Sequence, residues 1–84
     1  MFQVEWSSEA LSKFRKLDPK VARPIEKKVA RLEAGAERAG KKLSGIQLWS
    51  LRVGKIRVLY SIDFAKRRVF IVTLGPRDSV YERL

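Results

Sequence analysis

The sequence predicts an α+β fold: an N-terminal strand, a helical hairpin and then a three-stranded antiparallel meander, with the helices packed on one face of the sheet. Two observations support this prediction. Apolar residues recur at spacings of three and four through residues 10–36, which is typical of amphipathic helices. They alternate with polar residues before this region and again around a short turn at residues 54–55, as expected for strands. With 84 residues, the chain is expected to form one domain over residues 1–84.

The first strand is predicted near the N-terminus, where Phe2, Val4 and Trp6 alternate with polar residues and would point inward. Ser7-Ser8 then offers an N-cap for a helix, and Glu9 in the first turn suits the positive end of the helix dipole. The apolar positions of this first helix are Ala10, Leu11, Phe14 and Leu17.

A second helix is expected to start at Asp18-Pro19, because Asp is a good N-cap and Pro is tolerated at the first helical position. Pro24 lacks a backbone N–H, so we expect the uninterrupted helix to begin nearer Pro24. The apolar stripe of the helix contains Val21, Ala22, Ile25, Val29, Leu32 and Ala36. For most of the cations on its polar side, a solvated surface is the simplest interpretation; these cations are Lys20, Arg23, Lys27, Lys28 and Arg31. The loop that follows is marked by Gly35, Gly40 and Gly45.

The next stretch, residues 49–60, predicts two strands joined by Gly54-Lys55, because Gly at the first central position suits a type II′ turn. This turn fixes the register and places Arg52 directly opposite Arg57, with Leu59 beside them. The pairs on the face toward the helices are Val53 with Ile56, Leu51 with Val58 and Trp49 with Tyr60. Since like charges directly opposite each other are destabilising, the arginine pair indicates an anion-binding surface.

The last predicted strand, Val69–Leu74, is apolar on both faces and should therefore be central or covered on both sides. Gly75-Pro76 ends it. The remaining tail is short and polar, with possible anchors at Val80, Tyr81 and Leu84.

The composition limits the possible functions. A net charge of +10, from 19 Lys and Arg against 9 Asp and Glu, predicts a polyanionic or acidic partner such as nucleic acid, a ribosome or an acidic protein. The chain has no cysteine and no histidine, so the commonest metal ligands and the commonest general base are missing. We expect no cofactor and no metal. No apolar run approaches the roughly 18 residues that span a bilayer, so we expect a cytoplasmic protein without a membrane partner.

Two motifs and the order of the elements resemble the RelE/ParE toxin superfamily of toxin–antitoxin systems. The first is LWSLRVGKIRVLY at residues 48–60, which is similar to the family's strand, RVG turn and R-V-x-Y strand. The second is LGPRDSVY at residues 74–81, which is similar to its closing G-x-R and V-Y segment. The resemblance covers nearly the whole chain.

The resemblance to RelE-type members implies a ribosome-dependent mRNA endonuclease that works without metal, by attack of a 2′-hydroxyl on the adjacent phosphate. It implies catalytic roles for Arg52, Arg57, Arg77 and Tyr81, and partners in a small acidic antitoxin, a 70S-type ribosome and mRNA. Ser50 stands where RelE-type enzymes often carry a basic residue, which leaves Lys55 as a candidate substitute.

The residue types fit this chemistry. The planar guanidinium of arginine suits phosphate and does not lose its proton at neutral pH. Tyr81 and Lys55 are therefore the candidates for proton transfer, and the identity of the general base stays open. Lys41 and Lys42 extend the positive charge and are predicted to contact RNA phosphates.

Two other functions stay open on the same fold. One is inhibition of DNA gyrase, as in ParE-type members, although these often lack the terminal tyrosine that Tyr81 matches. The other is a non-catalytic module that binds RNA or a protein partner. In either case Arg57 would be a surface residue and Tyr81 a packing anchor of the tail.

Overall fold

The computed structural model describes residues 1–81, so Leu84, one of the suggested anchors, lies outside it. The elements are β1 (Gln3–Trp6), α1 (Ser8–Arg15), α2 (Pro19–Ala30), α3 (Leu32–Ala39), β2 (Lys41–Lys42), β3 (Trp49–Val53), β4 (Ile56–Asp63), β5 (Arg68–Pro76) and α4 (Arg77–Tyr81). The strands form one sheet in the order β1-β5-β4-β3-β2. β1 is parallel to β5, and the other neighbouring strands are antiparallel. The predicted α+β class and the meander are confirmed.

The two predicted helix starts are confirmed by their caps. The Ser7 side chain accepts a 3.0 Å hydrogen bond from the Ala10 N–H at the start of α1. Asp18 accepts a 2.8 Å hydrogen bond from the Lys20 N–H at the start of α2. These side-chain oxygens satisfy backbone donors that have no partner inside the helix.

The effect expected of Pro24 is wrong, because α2 runs through it without a break. Proline at this position removes one hydrogen bond, to the Lys20 carbonyl, close to the exposed start of the helix. The burial of Ile25 and Val29 on the same helix offsets this loss.

The single helix expected to run to Ala36 is also not found. The Arg31 N–H bonds to the Lys28 carbonyl, and α2 gives way there to α3, which is itself distorted at Gly35 (φ −179°, ψ 79°). Leu32 and Ala36 of α3, four residues apart on one face, are both fully buried. The loop therefore begins near Gly40 rather than at Gly35.

The main core lies between α1–α3 and one face of the sheet, as predicted. Its buried strand residues include Leu51, Val58, Tyr60 and Ile71, and its buried helix residues include Ala10, Ile25, Val29, Leu32 and Ala36. The predicted hairpin register is confirmed at every pair, including Arg52 with Arg57. Gly54 has a φ of +60°, while Lys55 does not have a positive φ, which matches the expected type II′ turn.

Three features are not predicted by the sequence: the parallel pairing of β1 with β5, the two-residue strand β2, and α4. β5 lies between β1 and β4, which confirms its predicted central position. α4 packs against β4 and β5 on the face opposite α2 and α3, where Leu59 and Val80 are buried. Within residues 1–81, no helix is long and apolar enough to cross a membrane.

Tyr60 links the sheet to α3, since its fully buried hydroxyl donates a 2.8 Å hydrogen bond to the Ala36 carbonyl. Burial raises the pKa of Tyr60 to about 12, against the opposing effect of a hydrogen bond with the Gly40 backbone. The folded state thus holds this proton more tightly than the unfolded state, whose tyrosine pKa is about 10.

Folding stability from Tyr60 is therefore complete below pH 10 and is lost as the pH rises toward 12. Between pH 8 and pH 11, both wild type and Tyr60→Phe should lose unfolding free energy. The loss in wild type should be larger by about 1.4 kcal/mol. Urea unfolding of both proteins at the two pH values measures this difference. Equal losses would show that the Tyr60 proton does not contribute to stability.

Candidate functional site

Two rows of side chains cross the face of the sheet opposite α2 and α3. Paired residues on neighbouring strands point to the same side, so the rows follow from the register. The first row is Lys41, Ser50, Leu59 and Thr73, and the second is Arg52, Arg57 and Gly75. A Cβ added at Gly75 would meet no atom within 4 Å. The position beside Arg57 on β5 is therefore open.

The part of these rows on β2, β3 and the start of β4 forms the floor of a groove of about 520 Å³, here called the arginine groove. Its lining residues are Lys41, Lys42, Leu43, Ser44, Ser50, Arg52, Arg57, Arg77 and Tyr81. Arg57 is half-buried on its strand, while Arg52 and Arg77 are exposed. The structure thus brings together all four residues predicted to be catalytic, along with Lys41 and Lys42.

Lys55 does not belong to this group. It lies at the tip of the β3–β4 hairpin, beside Gly54, and lines a separate groove with the start of α2. The lysines of the arginine groove are therefore Lys41 and Lys42, and Lys41 rather than Lys55 lies beside Ser50.

Tyr81 reaches the arginine groove because α4 begins at Arg77, directly after β5. The buried Val80 anchors this short helix to the sheet. The Tyr81 hydroxyl lies 3.1 Å from the Ser50 hydroxyl, and either oxygen can donate the hydrogen bond. Ser50, which the sequence singled out only as a missing basic residue, is thus the partner of Tyr81. The sequence did carry one signal, since Ser50 lies two residues before Arg52 and shares its face.

The charge that lines the arginine groove is entirely positive within the described residues. Among residues 1–81, no acidic side chain lines the groove. The ion pairs in this part of the chain, Lys13 with Glu9 and Arg38 with Glu37, include none of the groove residues. Arg52 and Arg57 therefore face each other uncompensated, and a bound anion would relieve their repulsion.

The donor set of the groove defines its chemistry. In the described part of the chain, no three His, Cys, Asp or Glu side chains lie close enough together to hold a metal ion. The groups available in the groove are guanidinium, ammonium and hydroxyl. Guanidinium and ammonium groups bind phosphate, and a hydroxyl can exchange a proton.

A sequence comparison decides the family. The family model for the ParE toxin of type II toxin–antitoxin systems, parDE, matches residues 4–81. The chain belongs to this ParE toxin family. It is a toxin of the RelE/ParE type. No curated protein matches the sequence of the toxin.

Solved structures show that the toxin has the RelE fold. It superposes on a chain of the intact E. coli RelBE toxin–antitoxin complex with a TM-score of 0.82 and 22% identity, covering 90% of the toxin and 96% of that chain. For a chain of the Mycobacterium tuberculosis RelBE2 complex, the TM-score is 0.80 and the identity 25%, covering 90% of the toxin and 98% of that chain. For the isolated E. coli RelE toxin, the TM-score is 0.80 and the identity 21%, with 100% of both chains covered.

The repulsion between Arg52 and Arg57 can be measured as a stability effect. Arg57→Gln keeps most of the side chain and removes one of the two charges, so it should raise the unfolding free energy by about 0.2–1 kcal/mol at low salt. The gain should shrink at 1 M salt, where the Debye length is about 3 Å.

Arg68→Gln is the matched control, because Arg68 lies opposite Asp63 in the same sheet. Arg68→Gln should be less stable than wild type at low salt, and this difference in unfolding free energy should shrink at high salt. Urea unfolding of the three proteins at both salt concentrations tests the pair. The same sign of change in both variants would show that cross-strand charge does not determine their stability.

Proposed function

We propose that this toxin is a ribosome-dependent, metal-independent mRNA endonuclease that acts in the cytoplasm. In the proposed reaction, the 2′-hydroxyl of a nucleotide in the message attacks the adjacent phosphate. The observation that carries the proposal is the arginine groove, where Arg52, Arg57, Arg77 and Tyr81 surround one open space. Net charge does not explain this arrangement, because the register forces two of the arginines together on one face.

The arginines would bind the scissile phosphate and stabilise the negative charge that builds on its oxygens during attack. Arg57 is the most constrained of the three, since it is half-buried on β4 between Arg52 and the open position at Gly75. Such preorganised donors stabilise a transition state without further rearrangement. Lys41 and Lys42 would hold the phosphates on either side.

Tyr81 would handle a proton of the reaction. Attack requires loss of the 2′-hydroxyl proton, and departure of the 5′-oxygen requires gain of one. Arginine does not exchange protons at neutral pH, so the hydroxyl of Tyr81 is the suitable group in the groove. The hydrogen bond with Ser50 would orient that hydroxyl from a buried position on β3.

In its silent state, the toxin would be covered by a small acidic antitoxin. The charge of +10 favours such a partner, and the structures with a similar fold include toxin–antitoxin complexes from E. coli, M. tuberculosis and Pyrococcus horikoshii. Charge attraction would make the association fast and sensitive to salt. Co-expression with an adjacent acidic reading frame should give a complex that is stable at about 0.15 M salt. Failure to form one would refute this partner.

Inhibition of DNA gyrase without any nuclease activity is the alternative, and the match to the ParE family model is the observation that favours it. The two functions separate in one comparison. A nuclease should cut ribosome-bound mRNA and leave gyrase supercoiling unaffected, and a gyrase inhibitor should do the opposite.

Arg57→Ala and Arg77→Ala should each abolish growth inhibition while the protein stays folded. In a ribosome-programmed cleavage assay, each should slow cutting by roughly 10²- to 10³-fold, the usual cost of one preorganised donor. Arg68→Ala, on the same sheet but outside the arginine groove, is the control and should cut normally. Full toxicity of a folded Arg57→Ala protein would refute the nuclease.

Tyr81→Phe deletes only the hydroxyl and keeps the packing of α4. It should slow cutting by about 10²- to 10⁴-fold, with ribosome binding unchanged. Ser50→Ala should cost less, and the double variant should be no slower than Tyr81→Phe, because Ser50 acts through Tyr81. Independent, multiplying effects would show that Ser50 does not work through the Tyr81 hydroxyl. Normal cutting by Tyr81→Phe would remove this hydroxyl from the chemistry.

A further inference from the structure

A second basic groove adjoins the arginine groove at the edge of the sheet. This edge groove has a volume of about 330 Å³ and lies between β2–β3 and the end of α2 and α3. Its charged lining residues are Lys28, Arg31, Lys41 and Arg52, and Ser50 and Gly40 contribute as well. It shares Lys41, Ser50 and Arg52 with the arginine groove. The two grooves therefore meet along β2 and β3.

The edge groove is built by specific contacts. The Lys28 ammonium donates a 3.1 Å hydrogen bond to the Arg52 carbonyl, so this lysine is held against the sheet. Gly40 brings the chain close to β3, since a Cβ there would lie 2.7 Å from the Ser50 carbonyl oxygen and would overlap the Tyr60 hydroxyl. The backbone at Gly40 can approach β3 this closely because glycine has no side chain.

Together, the two grooves contain seven cations: Lys28, Arg31, Lys41, Lys42, Arg52, Arg57 and Arg77. Among residues 1–81, no acidic side chain lines either groove and no ion pair includes any of the seven. A continuous path of uncompensated cations is the arrangement that follows the backbone of a nucleic acid.

The cations along α2 and at its C-cap, Arg31, do not all line the same groove. Arg23 and Lys27 line a different groove, which also contains Glu26 and shares no residue with the edge groove. Lys28 and Arg31 lie beside the site instead. A solvated surface was the simplest interpretation for most of the five cations, and it does not describe the position of these two.

We propose that the edge groove binds the RNA next to the cleaved phosphate, so that a single strand runs from the arginine groove over the edge of the sheet to Lys28 and Arg31. This inference rests on the nuclease function proposed above and adds a second binding site to it. A single strand can turn over this edge, whereas a double helix is stiff over about 150 base pairs.

The test compares two double variants that each remove two charges from α2 or its C-cap. Lys28→Gln/Arg31→Gln alters the edge groove, and Arg23→Gln/Lys27→Gln is the matched control. The probes are fluorescent 2′-O-methyl RNA oligonucleotides of three and nine nucleotides, which lack the attacking 2′-hydroxyl. Anisotropy titrations over a series of salt concentrations give the dissociation constants, and thermal unfolding confirms that each variant is folded.

For the nine-nucleotide RNA, the edge variant should bind roughly tenfold more weakly than wild type, and its log–log salt slope should fall by about 1.4, or 0.7 for each lost phosphate contact. The three-nucleotide RNA has only two phosphodiester groups and can make few contacts along the path, so its loss of binding in the edge variant should be much smaller than that of the nine-nucleotide RNA. The control should bind both probes within about twofold of wild type. This dependence on length separates a local contact from a general loss of charge.

Equal losses in the edge variant and its control, or the same loss with both probes, would overturn the proposal. So would unchanged RNA binding with weaker binding of polyglutamate, which would assign the groove to an acidic protein. The probes are not cleaved, so this outcome is independent of the nuclease. Length-dependent binding by a wild type that does not cut mRNA would refute the nuclease and leave the edge groove standing. If wild type cuts mRNA normally but the edge variant binds RNA as its control does, the nuclease stands and the edge groove is refuted.

Discussion

The pairing of β3 with β4 determines both the core and the candidate site. The two-residue turn at Gly54 leaves one register, in which Leu51 and Val58 enter the core while Arg52 and Arg57 face the other way. Since side chains alternate along a strand, a slip of one residue would expose the core residues and bury the arginines. The free energy of core packing therefore holds the two like charges together, although they repel each other.

The same alternation places Ser50 and Leu59 on the side of the arginines, directly beside the core residues Leu51 and Tyr60. α4 packs on this side, with Val80 buried, and carries Tyr81 to Ser50. On the other side, Tyr60 bonds to α3. Strands that are packed on both faces give the groove a rigid floor, which a site built from preorganised charges requires.

The sequence was sufficient to predict the hairpin, its register and the grouping of its arginines, because these depend on local turn geometry and on period-two alternation. The family resemblance, rather than periodicity, implied that Arg77 belongs to the site. The sequence did not predict the pairing of β1 with β5, which joins residues far apart in the chain, or β2, which has too few residues for a pattern. The helical spacing of apolar residues also continues past Arg31, so it did not predict the change from α2 to α3.

The bond between Ser50 and Tyr81 was not predictable, because it depends on where α4 docks. The same is true of Lys28 and Arg31. On a helical wheel they belong to a polar face, and the docking of α2 beside β3 decides which cations of that face lie near the site. Tertiary placement, rather than residue type, distinguishes these two from Arg23 and Lys27.

The chemical ends of the cut message test the proposed mechanism most directly. The measurement uses wild-type toxin, programmed ribosomes and an mRNA whose cleavage products are analysed by mass spectrometry. Attack by the 2′-hydroxyl predicts a 2′,3′-cyclic phosphate on one product and a 5′-hydroxyl on the other, and no cutting when the attacking nucleotide is 2′-deoxy. A 3′-hydroxyl with a 5′-phosphate, or undiminished cutting at the 2′-deoxy nucleotide, would contradict it.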